Sequence, residues 1–431
     1  MHIQIITLLI LIIDLALFCG IIIITAPFVC LKYLLIKVQK RHTNIIWLSG
    51  AGDVESILKK FGKLDFTINY DGPVNFPLIQ LFWFPASSTI LGMKVKNNFE
   101  INQMAYNHIV RYFQFTGWYI YCLRILYRTD PNVGLIRAFD PYFIGLSGVF
   151  LSIMSGKPLC VSIHADYEQR EKLQTGVIPC WYRSKRLTQR IEKLVTSRAK
   201  FILPIRETMK DHFYSIGVCE KKIRVIPHGI DLSPFQNDEK IHLSEYSDKN
   251  DIQNLVSSVM RIENENYFTD VLQIAACVVR ENNNALFIIA GDGSKVRDAH
   301  HFIQVNHLDK HVQMPGYLSR EKAMELRKQS TVNLCLMAGF SLIEACAAGR
   351  PVIAYDVEWH HELVIDGETG FLIKEGDVET AAEKIIFLIQ NPEIADRMGA
   401  AARKRAFERH DINKTALIKQ RIYEELMALK Q

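Results

Sequence analysis

The sequence predicts an α/β protein of two Rossmann-like domains facing a cleft, preceded by an N-terminal membrane helix. Three observations predict it. Short apolar runs alternate with amphipathic segments between residues 44 and 229. The same alternation resumes at 252 after a polar stretch, and an almost wholly apolar run precedes both, from Ile3 to Leu31. Strands that alternate with helices build parallel sheets covered on both faces, and 431 residues suffice for two such cores.

The apolar run IQIITLLILIIDLALFCGIIIITAPFVCL exceeds the roughly 20 residues that cross a bilayer as a helix. It lacks a basic leader and a small-x-small cleavage site, which argues against a removed signal peptide. Lys32, Lys37, Lys40 and Arg41 follow it, so the positive-inside rule places the rest of the chain in the cytoplasm. Asp14 interrupts the run, at about 2.5–3.5 kcal/mol for an acid at mid-membrane. It is protonated there, or faces a partner helix, or marks a shallow or re-entrant insertion. Pro27 permits a bend, and spanning and re-entry both remain open.

In the first half, strands are expected at 44–49, 65–69, 133–139, 158–164, 201–205 and 223–229, with helices at 184–199 and 206–215. Residues 71–90, DGPVNFPLIQLFWFPASSTI, carry three prolines and the cluster Phe76, Phe82, Trp83 and Phe84. That composition predicts a loop, dipping into a membrane interface, lining an apolar groove or packing into the core, and neither a regular strand nor a helix. Asp231 to Asp251 has few apolar residues and reads as a linker. The second half has strands at 252–259, 285–291, 311–316, 331–337, 350–356 and 370–373. Helices are expected at 268–281, 320–329, 341–348 and 378–390, and 393–428 is helical. The domains are thus an anchor over 1–36, a first domain over 42–230, a linker over 231–251, a second domain over 252–410 and a C-terminal helix over 411–431.

The net charge of +5 is modest, and no aromatic-basic motif or finger spacing points to nucleic acid. Nine scattered cysteines form no CxxC pair, which indicates reduced thiols and no metal site.

One stretch carries chemistry. In GFSLIEACAAGRPVIA, residues 339–354, a single carboxylate, Glu344, stands among small and apolar residues. Thr331–Met337 is the expected strand, Gly339 and Phe340 the turn and Ser341–Ala348 the helix. A helix that starts at the carboxyl edge of a parallel strand directs free N–H groups outward, where a diphosphate fits. Gly339 lets backbone approach a ligand. An acid one turn into the helix repels phosphate but accepts hydrogen bonds from hydroxyls, and a ribose diol supplies two donors. Taken alone, Glu344 reads rather as a surface or first-turn acid favouring the helix dipole.

The run 339–373, GFSLIEACAAGRPVIAYDVEWHHELVIDGETGFLI, resembles the sugar-nucleotide-binding core of family 4 glycosyltransferases, retaining enzymes of GT-B fold. VIPHGIDLSPF (225–235), SSVMRIENEN (257–266), FIIAGDGSKV (287–296), VQMPGYLSREKAMELRKQS (312–330) and ADRMGAAARKRAFERH (395–410) resemble further segments of that family in order and spacing. VSIHADY (161–167) resembles its histidine-containing loop, and the likeness is weak before residue 130.

The resemblance implies a donor domain in the second half and an acceptor domain in the first. It implies that Glu344 holds the nucleotide ribose, Arg261 the diphosphate, and Gly339, Phe340, Ser341 and Leu342 phosphate or sugar through backbone groups. His164 then approaches the donor sugar, and Gly316, Tyr317 and Leu318 lie near the base. Two positions depart from the family. Leu336 stands where it often has a second glutamate, and Asn266, kept among the donor-binding residues, where it often has a lysine. Lys295 and Arg320 are candidates to replace the missing charge. Asp53, Asp130 and Asp140 stand singly, so no paired acids for a metal are evident.

The expected activity is therefore metal-independent sugar transfer from a nucleotide-sugar co-substrate, with no other cofactor. The acceptor is a lipid-linked or membrane-proximal glycan, and no nucleic acid partner is expected. Two alternatives stand beside it: a nucleotide-sugar epimerase or phosphorylase of the same fold, and a membrane-anchored pseudo-transferase that binds a partner or a nucleotide sugar.

Overall fold

The structure, a computed structural model, describes residues 2–38, 44–49, 76, 78–86, 90–95, 99–105, 114–164, 184–236 and 254–428. The chain divides into two compact units: Met1–His228 with Thr415–Gln431, and Gly229–Lys414.

The first unit opens with helix α1 (His2–Val38), which runs unbroken through Pro27. Its strands are β1 (Asn44–Ser49), β2 (Ile79–Ala86), β3 (Ile90–Val95), β4 (Phe99–Ala105), β5 (Val133–Ala138), β6 (Leu159–Ile163) and β7 (Phe201–Pro204). They form one sheet in the order β3-β4-β2-β1-β5-β6-β7, parallel except where β3 pairs antiparallel to β4. Helices α2 (Gln114–Arg128), α3 (Phe143–Ser155), α4 (Lys185–Arg198) and α5 (Lys210–Ser215) belong to this unit.

β2 corrects the expectation of a structureless stretch at 71–90. Its register runs Ile79↔Ile45 through Trp83↔Ser49 on β1, and Ile79↔Phe99 on β4. The sheet accommodates Pro85, which has no N–H to donate, at an irregularity: the register with β4 shifts between Trp83 and Ala86. Phe82 is fully buried and Phe76 nearly so, each in a core cluster of this unit, so neither lines an open groove. The expected strand at 65–69 lies outside the described residues. Residues 223–226 run beside β7 through an isolated bridge at Ile223 and the bond Ile226 N–H to Pro204 O (2.9 Å), rather than as a full strand.

Asp14 has a structural solution. Its side chain is fully buried, and its carboxylate accepts the N–H groups of Phe115 (2.8 Å) and Thr116 (3.0 Å) at the start of α2. The free N–H groups and positive end of that helix stabilise the negative charge. The Thr116 hydroxyl returns a bond to the Asp14 carbonyl at 3.2 Å.

The second unit is a six-stranded parallel sheet, order β10-β9-β8-β11-β12-β13. Its strands are β8 (Asn254–Val259), β9 (Ala285–Ala290), β10 (Val312–Gly316), β11 (Val332–Leu334), β12 (Val352–Tyr355) and β13 (Gly370–Ile373). The order is doubly wound: the chain builds outward from β8 to β10, then returns to the other side with β11. The helices are α6 (Phe268–Glu281), α7 (Val296–Val305), α8 (Arg320–Gln329), α9 (Phe340–Ala347), α10 (His360–Leu363), α11 (Val378–Gln390) and α12 (Pro392–His410). Helix α13 (Ile412–Ala428) follows, so the continuous helix expected over 393–428 is two helices separated at Asp411. Ile422, Tyr423 and Leu426 of α13 are buried in a cluster with Ile45, Leu135 and Leu203, which returns the chain terminus to the first unit. Of the stretch read as a linker, Leu232 and Phe235 pack among the apolar side chains of the second unit, while 237–251 lies outside the described residues.

Candidate functional site

Parallel α/β sheets bind ligands beyond the carboxyl ends of their strands, where loops and helix starts converge. In the second unit those ends lead into the loop 260–266 after β8, Gly291–Lys295 after β9, Tyr317–Arg320 after β10 and the turn before α9 after β11. The second-unit residues singled out from sequence lie on these connections, at the strand end leading into one (Gly316) or on the first turns of α9, although Leu336, on the connection after β11, turns into the core. Ser341 fastens two of them: its hydroxyl donates to the Val259 carbonyl at the end of β8 (2.8 Å).

Glu344 is mostly buried and held by two arginines. Arg327 of α8, 3 % exposed at its side chain, places Nη1 3.1 Å from Oε2, and exposed Arg320 places Nε 3.0 Å from Oε1. Arg327 also donates to the Ser341 hydroxyl at 2.5 Å, so one buried guanidinium orients both the acid and the helix start. Beneath them the buried Asn333 of β11 accepts from the Ser257 hydroxyl (2.7 Å) and donates to the Arg327 carbonyl (3.3 Å). Arg320 also donates to the Asp231 carbonyl at 2.7 Å. Sequence reasoning missed Arg327: its position on an amphipathic helix looks like any solvated arginine. Arg320, considered as a phosphate ligand, is instead Glu344's outer partner. Lys295 is bound to Asp298 at 3.0 Å.

Arg261 lies exposed just past β8. The loop carrying it is shaped from below by two glycines. A Cβ on Gly291, whose φ is +150°, would sit 1.8 Å from the Met260 carbonyl oxygen, and one on Gly293 would sit 2.3 Å from that of Ile262. Glu263 secures the same contact, accepting the Ser294 N–H (2.8 Å) and hydroxyl (2.5 Å). The Ser294 hydroxyl, then its N–H, hold the Glu263 carboxyl below its ordinary range. Asn266 ends the loop as part of a single 3-10 turn. Its Oδ1 is buried with no hydrogen-bond partner among the described residues.

The turn before α9 is backed by His360. This fully buried ring faces the Tyr355 carbonyl with Nδ1 (2.9 Å), and its Nε2 lies against the Ala338 backbone, 3.2 Å from the nitrogen and 3.1 Å from the carbonyl oxygen. A Cβ on Gly339 would meet no atom within 4 Å, so the space beside it is open. Phe340 and Ser341 are half-buried. Leu342 differs from the expectation: its side chain is fully buried and its N–H already bonds the Gly339 carbonyl (3.1 Å), so it offers packing rather than a donor. Leu336 is buried in the core, and no acid stands at that position. Gly316 ends β10 at φ +79°, Tyr317 is 81 % exposed, and Leu318 packs beside Leu255 and Leu326.

In the first unit, His164 follows β6. Its ring stacks on Phe139 with centres 4.9 Å apart and lies 5.3 Å from His228. Phe139 also receives the buried Arg137 guanidinium, 4.4 Å from its ring centre, and Arg137 donates to the Ser162 hydroxyl at 2.8 Å. His164, His228, Arg137 and Lys419 line one pocket, a basic constellation. Asp140 accepts the Tyr142 N–H at 2.7 Å at the start of α3, yet burial pushes its carboxyl up to about 6. Asp53 lies outside the described residues.

Comparison with known proteins identifies the family and the fold. The profile of "Glycosyl transferases group 1" matches residues 240–405, and that of "Glycosyltransferase Family 4" matches residues 96–234. A poly(ribitol-phosphate) α-N-acetylglucosaminyltransferase of Staphylococcus aureus is 28 % identical over 143 residues, covering 32 % of this chain and 29 % of the relative. The capsular polysaccharide biosynthesis glycosyltransferase CapM of Staphylococcus aureus is 28 % identical over 229 residues, covering 50 % and 59 %. The aligned segments thus span less than two thirds of these relatives. Among solved structures, Anabaena HepE in complex with UDP superposes with a TM-score of 0.63 at 17 % identity, covering 90 % of this chain and all of that one. With both halves matched in order and the two-sheet architecture shared, the chain belongs to the group 1 and family 4 glycosyltransferases of GT-B fold.

Proposed function

We propose that this glycosyltransferase moves a sugar, with retention of configuration and without a metal, from a nucleotide-sugar donor to a lipid-linked or membrane-proximal glycan acceptor. The observation that carries the donor assignment is the Arg327–Glu344–Ser341 assembly, bonded to the end of β8 just ahead of Arg261. Arg327 fixes one carboxylate oxygen permanently. The other faces, among the described residues, the exposed Arg320, a partner that a ribose diol replaces at small cost, because solvent-exposed ion pairs contribute about 0–1 kcal/mol.

Sugar transfer requires stabilisation of the departing diphosphate and of an oxocarbenium-like sugar. In this reading Arg261 and the start of α9 face the diphosphate, and Tyr317 offers an aromatic face to the base. The anomeric C–O bond to the diphosphate breaks as the acceptor oxygen bonds on the same face, and the acceptor proton passes to the leaving phosphate. His164 acts on the donor sugar. The acceptor assignment rests on the apolar α1, and the basic residues after it favour catalytic units on the cytoplasmic side.

Purified full-length chain is screened against a panel of nucleotide sugars by thermal shift, then incubated with membrane lipid extract and the labelled donor. A donor at ~100 times its dissociation constant stabilises the chain by about 2.7 kcal/mol. Transfer of label to a lipid fraction supports the proposal. The burial of Leu336, where the family resemblance implies an acid, favours one competing reading, a pseudo-transferase, which predicts donor binding with no turnover on any fraction.

A further inference from the structure

We propose that α1 is an in-plane anchor, embedded in one leaflet and fused through its middle to the first unit, rather than a helix that crosses the bilayer. This deepens the membrane reading given above and rests on it.

The helix is apolar all round but docks by a single seam. Asp14, Phe18, Ile21, Ile22, Thr25 and Val29 recur at three- and four-residue spacing and face the first unit. Phe18 packs on Phe115, Trp118 and Tyr119 of α2, with ring centres 5.5–6.4 Å apart. Polar bonds pin the seam at Asp14, which caps α2, and eleven residues later at Thr25, whose hydroxyl lies 3.0 Å from the Tyr119 hydroxyl. At 1.5 Å per residue the seam is about 22 Å long, most of the ~30 Å hydrocarbon layer. It also occupies the middle of the apolar window Leu9–Leu34.

A crossing helix therefore cannot keep this seam unless α2 enters the bilayer beside it. That helix carries exposed Arg124 and Arg128 and leads into a sheet-bearing unit. Separation of α1 from α2 would instead strip the Asp14 carboxylate of both its N–H donors within hydrocarbon. Neither cost arises if α1 lies along the surface. Leu9, Ile12, Ile23, Leu31 and Leu34, each more than half exposed, then point away from the seam into acyl chains. The occupant of this face is a lipid leaflet: the apolar window is about 39 Å long, its one charged residue ahead of Lys32 is Asp14, which is turned into the seam, and the basic residues that follow match anionic headgroups.

In this arrangement the amino terminus stays on the same side as the catalytic units. The test is made on the full chain with one cleavable tag ahead of Met1 and another after Gln431, reconstituted on sealed vesicles of 7:3 phosphatidylcholine to phosphatidylglycerol. The proposal expects flotation with the vesicles and equal cleavage of both tags by added protease without detergent. Flotation with one tag protected until detergent is added overturns the in-plane placement and leaves membrane attachment standing; failure to float overturns both. The pair I12E and I23E, on the outer face and away from the seam, should cut vesicle partitioning about tenfold or more while the melting temperature holds. Unchanged partitioning, or a lipid-free dimer that these variants dissolve, assigns the face to a second copy and overturns the proposal.

Discussion

Arg327 and Glu344 form a mostly buried ion pair, Nη1 to Oε2 at 3.1 Å, in which the arginine is almost wholly enclosed and the acid keeps one edge toward the surface. Removing one member of a buried pair leaves the other charge uncompensated and costs about 3–5 kcal/mol. Arg327→Ala is expected to destabilise the chain by about that much, whereas Arg320→Ala, at a half-exposed partner of the same carboxylate, should cost no more than about 1 kcal/mol. Equilibrium denaturation of the two variants reads the contrast.

The glycines after β9 set the height of the Arg261 loop. Gly291→Ala would drive a methyl group into the Met260 carbonyl. It should destabilise the chain by about 1–3 kcal/mol or more and weaken nucleoside diphosphate binding. Gly376→Ala has room for the methyl group, with φ +79° as its only strain, and should leave binding unchanged. Calorimetric titration of both variants with the selected diphosphate checks the difference.

His360 acts as a positioning residue, since its Nε2 holds the Ala338 backbone ahead of α9 without standing in the open space beside Gly339. His360→Gln, which keeps an amide able to bond that backbone, should retain more donor affinity than His360→Phe. A KM-against-kcat comparison reads it: a positioning role raises donor KM in the phenylalanine variant, and a merely structural role lowers yield and melting temperature without separating the two constants.

Asp140 gives the first unit a pH dependence. Its folded carboxyl titrates near 6, above an unfolded value near 3.8, because burial disfavours the charge. The proton is bound more tightly in the folded state. Its stabilising effect is therefore fully present below about pH 3.8 and is lost as pH rises to about 6. Melting temperature followed between pH 4 and 7 should show this component in the parent chain and not in Asp140→Asn.

Much of the second unit was legible because each β/α step there is short and regular. Helices 268–281, 320–329 and 378–390 fall where the apolar spacing places them. β2 was not legible, since three prolines argue against a strand and only a bulge in a twisted sheet reveals how Pro85 is tolerated. Asp14 looked like a cost to a membrane helix because its partners lie a hundred residues away, at the start of α2. For the same reason Glu344 was legible and Arg327 was not: an acid in an apolar helix stands out, and a basic residue on a polar helix becomes meaningful only when the fold turns it inward.

The most direct test of the donor site is a cycle between Glu344→Gln and the ribose it is expected to hold. Calorimetry would give the affinity of parent and variant for the selected nucleoside diphosphate and for its 2′,3′-dideoxy analogue. A hydrogen bond to a charged group contributes about 1.5–3 kcal/mol, so loss of the diol should weaken the parent by about 10–100-fold and the variant by no more than about threefold. An equal loss in both would show that the Glu344 carboxylate does not touch the ribose.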